Sequence, residues 1–176
     1  MDITPLGHSS FRIKGKLASV VTDPYTFPKH IEADIVTASQ KQEVAMIDGN
    51  PYVINGPGEY EVKGVALVGI STGANTIYRI EIDGVAIVHL GALDRSLTAT
   101  EVDELDGVHI LMVPITFAQV GTVINEIEPM IIIPMNYEKP QLDAFLKEIG
   151  KEAVAQQKLN VTKDKLPAEM QVVVLE

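Results

Sequence analysis

The sequence predicts an α/β fold in which mixed β-sheets are flanked by helices, and three observations predict it. The first ninety residues form a string of short apolar or alternating runs bounded by turn residues. The second half alternates apolar strands with amphipathic helices. The chain is 176 residues long, 46% hydrophobic and 22% charged, which is enough apolar sequence for one core. Aromatics make up only 5% and Trp is absent, so that core must be built from Val, Ile, Leu, Ala and Met. No repeat, low-complexity segment or linker interrupts the chain, and one domain over residues 1–176 is expected.

In the first half, strands are expected over 10–14, 17–22, 34–38 and 52–54, then over 59–62, 65–71, 76–82 and 85–90. Asp83-Gly84 is a two-residue turn of the kind that closes a tight hairpin. Lys63-Gly64 and Gly15-Lys16 are softer turn signals, and Asn55-Gly56-Pro57-Gly58 must be a loop. In the second half, Thr98-Ala99-Thr100-Glu101 is a capping box, followed by Val102 and Leu105 on one helical face. A strand over 109–113 ends at Pro114. A helix over 119–127 carries Val120, Val123, Ile124 and Ile127 on one side, and 130–135 is a second apolar strand. Pro140 suits a helix start, Leu142, Phe145, Leu146 and Ile149 line one face, and Gly150 suits the stop. Strands over 159–162 and 171–175 complete the chain.

Charge and composition exclude several classes of function. The formal net charge is −10 and no run of Lys or Arg occurs, so neither nucleic acid nor an anionic membrane surface is an expected partner. The absence of cysteine excludes disulfides and thiolate metal sites. A transition-metal site would have to draw on carboxylates and four histidines: His8, His30, His89 and His109. The start, Met1-Asp2-Ile3-Thr4-Pro5, carries no secretory pattern, and no apolar stretch approaches the ~20 residues of a membrane helix, so cytoplasmic residence is expected.

Several short motifs, in order along almost the whole chain, resemble those of metallo-β-lactamase-fold hydrolases. They are Leu6-Gly7-His8-Ser9-Ser10-Phe11-Arg12-Ile13, Thr22-Asp23-Pro24-Tyr25, Ala33-Asp34-Ile35-Val36-Thr37, Asn55-Gly56-Pro57-Gly58-Glu59-Tyr60, His89-Leu90-Gly91 and Ile133-Pro134-Met135. The resemblance implies a four-layer αββα sandwich of two mixed sheets, here shortened, with two metal ions at one sheet edge. It also implies their ligands: an S-H-x-H-x-D-H motif after the fourth strand, a later loop His, an Asp after "HLG", and a His in "PMHY". Imidazoles and a bridging carboxylate would hold the metals, and a metal-bound water would become a nucleophile near neutral pH.

Position by position, the ligand pattern fails. The first motif reads Ser39-Gln40-Lys41-Gln42-Glu43-Val44-Ala45. The two leading histidines are thus Gln40 and Gln42, the aspartate is Val44, and the last histidine is Ala45. After Gly69-Ile70-Ser71-Thr72 the chain runs directly into Gly73-Ala74-Asn75, with no loop histidine. The bridging aspartate is Ala92 and the final histidine is Asn136. Amide oxygens are poor transition-metal donors beside imidazole, and Val and Ala donate nothing. No metal or other cofactor is expected.

Among the remaining polar residues, His8 and His89 are read as hydrogen-bonding residues at strand ends, with a role as acid, base or substrate contact as the alternative. Asp23 either shapes a turn or orients His8. Gln40 and Gln42 either fill the emptied cavity with hydrogen bonds or bind a small polar ligand. His30 and His109 read as structural or exposed. The 55–58 loop lacks phosphate-loop spacing. Asp94-Arg95 and residues 101–106 read as solvated surface charge. Ser9 and Ser10 adjoin His8 but should point to opposite faces of a strand, and no other nucleophile motif occurs.

The expected function is therefore a non-catalytic binding or assembly module on a degenerate hydrolase scaffold. Its pocket would comprise His8, Asp23, Gln40, Gln42, His89, Ala92 and Asn136. The partner would be another protein, a small molecule or a second copy of the chain. The alternatives are metal-independent hydrolysis in the same cleft, using His8, Asp23 or His89, and one weakly bound metal on those three residues.

Overall fold

The computed structural model describes residues 1–25, 31–45 and 47–176, and His30 lies outside them. Two mixed sheets stack face to face. The first contains β1 (Asp2–Gly7), β2 (Ser10–Lys14), β3 (Ser19–Thr22), β4 (Ile35–Thr37), β5 (Tyr52–Ile54) and β13 (Leu159–Asn160), in the order β13-β1-β2-β3-β4-β5. The second contains β6 (Gly58–Val62), β7 (Val65–Ser71), β8 (Thr76–Ile82), β9 (Val85–His89), β10 (Ile110–Pro114), β11 (Ile131–Met135), β12 (Ala153–Gln156) and β14 (Gln171–Leu175), in the order β12-β14-β11-β10-β9-β8-β7-β6. The two-sheet sandwich expected from the motif resemblance is the observed architecture.

Side-chain alternation divides the interior into two layers. Ile3, Ile13, Val20 and Ile35 of the first sheet meet Leu67, Ile80, Ile87, Met112 and Ile133 of the second in the central core. Along β10, Ile110 and Met112 face that core, while Leu111 and Val113 face the helices. A strand buried on both faces reads as an unbroken apolar run, which is why 109–113 stood out in the sequence. Each such side chain contributes about 1.5–3 kcal/mol by leaving water.

The helices cover the outer face of the second sheet. They are α1 (Ala99–Glu104), α2 (Val120–Ile127) and α3 (Lys139–Ile149). Leu105 at the end of α1, Val123 and Ile124 of α2 and Phe145 of α3 pack against Val88, Leu111 and Ile132. Thr98 and Glu101 close the expected capping box, Pro140 lies in the first turn of α3, and Gly150 ends it at φ 64°. Among the described residues, no α-helix lies over the outer face of the first sheet. There the register lines up Thr4, Arg12, Val21, Val36 and Val53 across five strands.

Three sequence expectations change. Residues 2–7 form a strand despite Pro5, which sits where the β1–β2 register shifts, so its missing N–H interrupts no regular ladder. Residues 153–156 form an edge strand through parallel pairing with β14, a tertiary interaction with little local signal. Glu101 is not a solvated charge, although its partner Arg95 stays partly exposed. Glu101 is buried and takes both guanidinium nitrogens of Arg95, at 2.7 and 2.9 Å. The Arg95 hydrogen bonds hold its carboxyl at about 2, with the Thr98 backbone N–H adding to the effect.

Candidate functional site

Parallel strands carry the chemistry-bearing residues to one end of the sandwich. β3 and β4 run parallel and deliver Asp23 and Ser39, while β9 and β11 flank β10 in parallel and deliver His89 and Asn136. The β1–β2 turn adds His8, and the turn before β8 adds Asn75. The cleft has two tiers.

The inner tier is buried and fully bonded. Asp23 sits at φ 45°, its backbone N–H donating to Thr37 O at 2.8 Å. Its carboxylate accepts from the Ser39 N–H at 2.7 Å, the Ser39 hydroxyl at 2.6 Å and the Tyr25 hydroxyl at 3.3 Å. The Tyr25 oxygen also accepts from the Gln40 N–H at 2.8 Å. Desolvation raises the Tyr25 phenol above its ordinary value, the main cause among several. Asp23 thus shapes the turn, as one sequence reading held, and anchors the 39–40 segment as well. It has no hydrogen bond to His8.

His89 is wholly buried. Its Nδ1 accepts from the Gly91 N–H at 3.2 Å, which leaves Nε2 to carry the proton and donate to Ser9 O at 2.7 Å. Phe11 stands edge-on to the ring, with centroids 6.3 Å apart. Asp23 Oδ2 is 4.0 Å from Nδ1, beyond hydrogen-bond distance. His89 therefore ties the second sheet to the β1–β2 turn.

Asn75 completes this tier and was not singled out by sequence reasoning. Its amide donates to Leu90 O at 3.1 Å and its oxygen accepts from the Ala92 N–H at 2.9 Å. Thr76 N–H donates to Ser39 O at 2.7 Å, linking the two sheets again. Gly91, at φ 60°, packs so closely that a Cβ there would lie 2.4 Å from Ser39 Cβ and 2.5 Å from Asn75 Oδ1. The signal in the sequence was the Gly of "HLG", which needs both the left-handed φ and the space.

The outer tier is open. Gln42 is exposed and its amide donates to Gln40 Oε1 at 2.7 Å, so this pair lies at the surface and does not fill a buried cavity. Val44 and Ala45 are half-buried beside Tyr25 and Glu43, and Ala92 is exposed. His8, at φ 52°, is exposed, and Asn136, at φ 56°, is half-buried. Ser10 does not form a nucleophile with His8: its hydroxyl is spent on Thr22 O at 2.5 Å. His8 and Asp23 border one cavity of about 180 Å³, and His8 and Asn136 border another of about 220 Å³. His109 lies away from the cleft, its Nδ1 accepting from the Ala86 N–H at 2.9 Å.

A family model described as the beta-lactamase superfamily domain matches residues 2–136. The chain belongs to the metallo-β-lactamase superfamily. A Thermotoga maritima protein described as a candidate Zn-dependent hydrolase of this superfamily is 33% identical, with all of this chain and 99% of that one superposed at a TM-score of 0.89. Two more distant structures share the fold. Igni18, a metallo hydrolase from Ignicoccus hospitalis, is 18% identical with a TM-score of 0.63, over 85% of this chain and 90% of its own. The metallo-beta-lactamase fold protein YhfI from Bacillus subtilis is 8% identical with a TM-score of 0.66, over 99% and 96%. No functionally curated protein is significantly similar to the chain.

The superfamily implies a metal centre in this cleft, and the residues present do not fit one. Among the described residues, no three His, Asp or Glu side chains are grouped so as to hold an ion. Asp23 and His89 are already engaged by protein groups. The outer tier offers amides and methyl groups where the motif resemblance implies imidazoles and a carboxylate. Among the described residues, no helix is long and apolar enough to cross a membrane.

Proposed function

We propose that this chain is a non-catalytic member of the superfamily, a binding or assembly module in which the hydrolase scaffold is kept and the metal chemistry is gone. One observation carries the reading: the implied ligand positions hold Gln40, Gln42, Val44, Ala45, Ala92 and Asn136, while Asp23 accepts from Ser39 and His89 is held between the Gly91 N–H and Ser9 O. Metal-independent hydrolysis has little to work with. His8 has no partner to orient it among the described residues, Ser10 donates elsewhere, and a lone general base supplies typically ~10²–10⁴-fold. That falls well short of what a metal gives by bringing the pKa of water from ~15.7 to ~7.

Turnover of an activated carboxylic ester, a phosphodiester, a lactone and a β-lactam, each with and without added zinc or manganese, tests the reading. Background rates, unchanged in His8→Ala, are expected. Turnover well above background that is abolished in His8→Ala, with the fold retained, would make the chain an enzyme.

A further inference from the structure

The cavity of about 220 Å³ beside His8 lies outside the bonded inner tier. Of the residues considered above as its pocket, only His8 and Asn136 line it. Phe11, Pro134, Tyr137 and Leu175 supply its walls. We propose that this cavity is a binding site for a small, neutral, planar ligand: one ring bearing a carboxamide or an equivalent cyclic amide edge. The inference rests on the reading that the cleft holds no catalytic metal, and goes beyond it by naming what the cleft takes instead.

Four features select that chemistry. The first is size. Pockets for drug-sized ligands measure roughly 300–1,000 Å³, so the smaller space here admits about one ring and its substituent. The second is shape and polarity: Phe11, Tyr137 and two prolines, Pro5 and Pro134, line the cavity, and rigid ring side chains favour a planar body. The third is the free amide. Among the described residues neither Asn136 nor His8 has a side-chain partner, although Asn136 is half-buried. A carboxamide presents one acceptor and two donors, and its natural complement is another amide edge, donor to acceptor and acceptor to donor. The fourth is charge. No Lys or Arg lines the cavity, and the chain carries a formal net charge of −10. A carboxylate ligand would meet no permanent positive charge, its one basic neighbour being the exposed His8, whereas a neutral amide needs none.

The left-handed backbone at Asn136 makes a clean variant available. Asn136→Gly keeps φ 56° accessible while removing the side chain with its amide. Titrations of the full chain with benzamide, followed by protein-observed NMR, are the test, with benzoate as the charged isostere. Benzamide is expected to bind saturably and to shift the Asn136, Tyr137 and Phe11 resonances. Binding should weaken about tenfold for benzoate, and about tenfold for benzamide in Asn136→Gly, the loss expected for one or two neutral hydrogen bonds. Benzoate binding as tightly as benzamide, or Asn136→Gly binding benzamide unchanged, overturns the assignment. Repeating the titration in EDTA and in added zinc separates the inference from the reading beneath it. No saturable binding under either condition overturns the inference alone. Binding that requires zinc would show that the cleft is a metal site, and the underlying reading would fail first.

Discussion

The two tiers of the cleft are built from residues a few positions apart in sequence, yet they differ in almost every physical respect. Asp23, Ser39, Asn75 and His89 are buried and their polar atoms are spent on one another or on backbone. Gln40, Gln42, Ala92 and His8 are more exposed, and their side chains bond at the surface or to nothing described. The inner tier joins the loops of the two sheets, so a change there is paid in fold stability. The outer tier can vary at little cost to stability, and it holds the positions at which the family resemblance implies metal ligands.

The sharpest way to break this comparison is to empty the inner tier. Asp23→Ala strands the Ser39 N–H and hydroxyl, two buried donors whose desolvation each costs roughly 1–3 kcal/mol, so a loss of about 3 kcal/mol or more is expected in urea unfolding. A loss under 1 kcal/mol would mean that the network is decorative. Next come two glycines of the same cleft. Gly91→Ala drives a Cβ into Ser39 and Asn75 and should cost about 3 kcal/mol through overpacking and a left-handed φ. Gly7→Ala, at φ 117° with open space around it, should cost about 1–2 kcal/mol through backbone strain alone. Equal losses at the two sites would contradict the packing difference between them.

A smaller effect is expected at Arg95 and Glu101, and it depends on pH. Glu101 titrates at about 2 when folded against a reference of 4.5, so the pair stabilises the fold above pH 4.5. That contribution fades as pH falls toward 2. Arg95 is 40% exposed on its side chain, and solvent screening limits the contribution to about 1 kcal/mol. Arg95→Ala should therefore lower stability at neutral pH and leave it nearly unchanged near pH 2. A loss independent of pH would assign the effect to packing. The smallest effects belong to the outer tier: Gln40→Ala and Gln42→Ala should each stay within about 0.5 kcal/mol of the native chain.

The same division decides what was legible in the sequence. Strands with strong alternation or unbroken apolar runs, such as β8 and β10, stood out because their burial is written locally. Residues 2–7 and 153–156 did not, since Pro5 resembles a breaker and Ala-Val-Ala-Gln has weak strand propensity. Pairing with β2 and β14 decides both. Within the site, the departures from the ligand motif that the resemblance implies were legible in the sequence itself. The buried hydrogen-bond network was not, because Asn75 reaches Leu90 and Ala92 across a hairpin and Tyr25 reaches Gln40 from a different strand end. Such contacts have no periodicity to betray them.

The central claim is that the protein-only network has taken the place of a metal centre. Elemental analysis of chelator-free protein, paired with thermal unfolding in EDTA and in added zinc, tests it most directly. A ligand that binds only the native state raises stability by RT ln(1 + [L]/Kd), so the account predicts far less than one metal per chain and a Tm unchanged by either addition. About one zinc, manganese or iron per chain, with a Tm that falls in EDTA and recovers on adding the metal back, would contradict it.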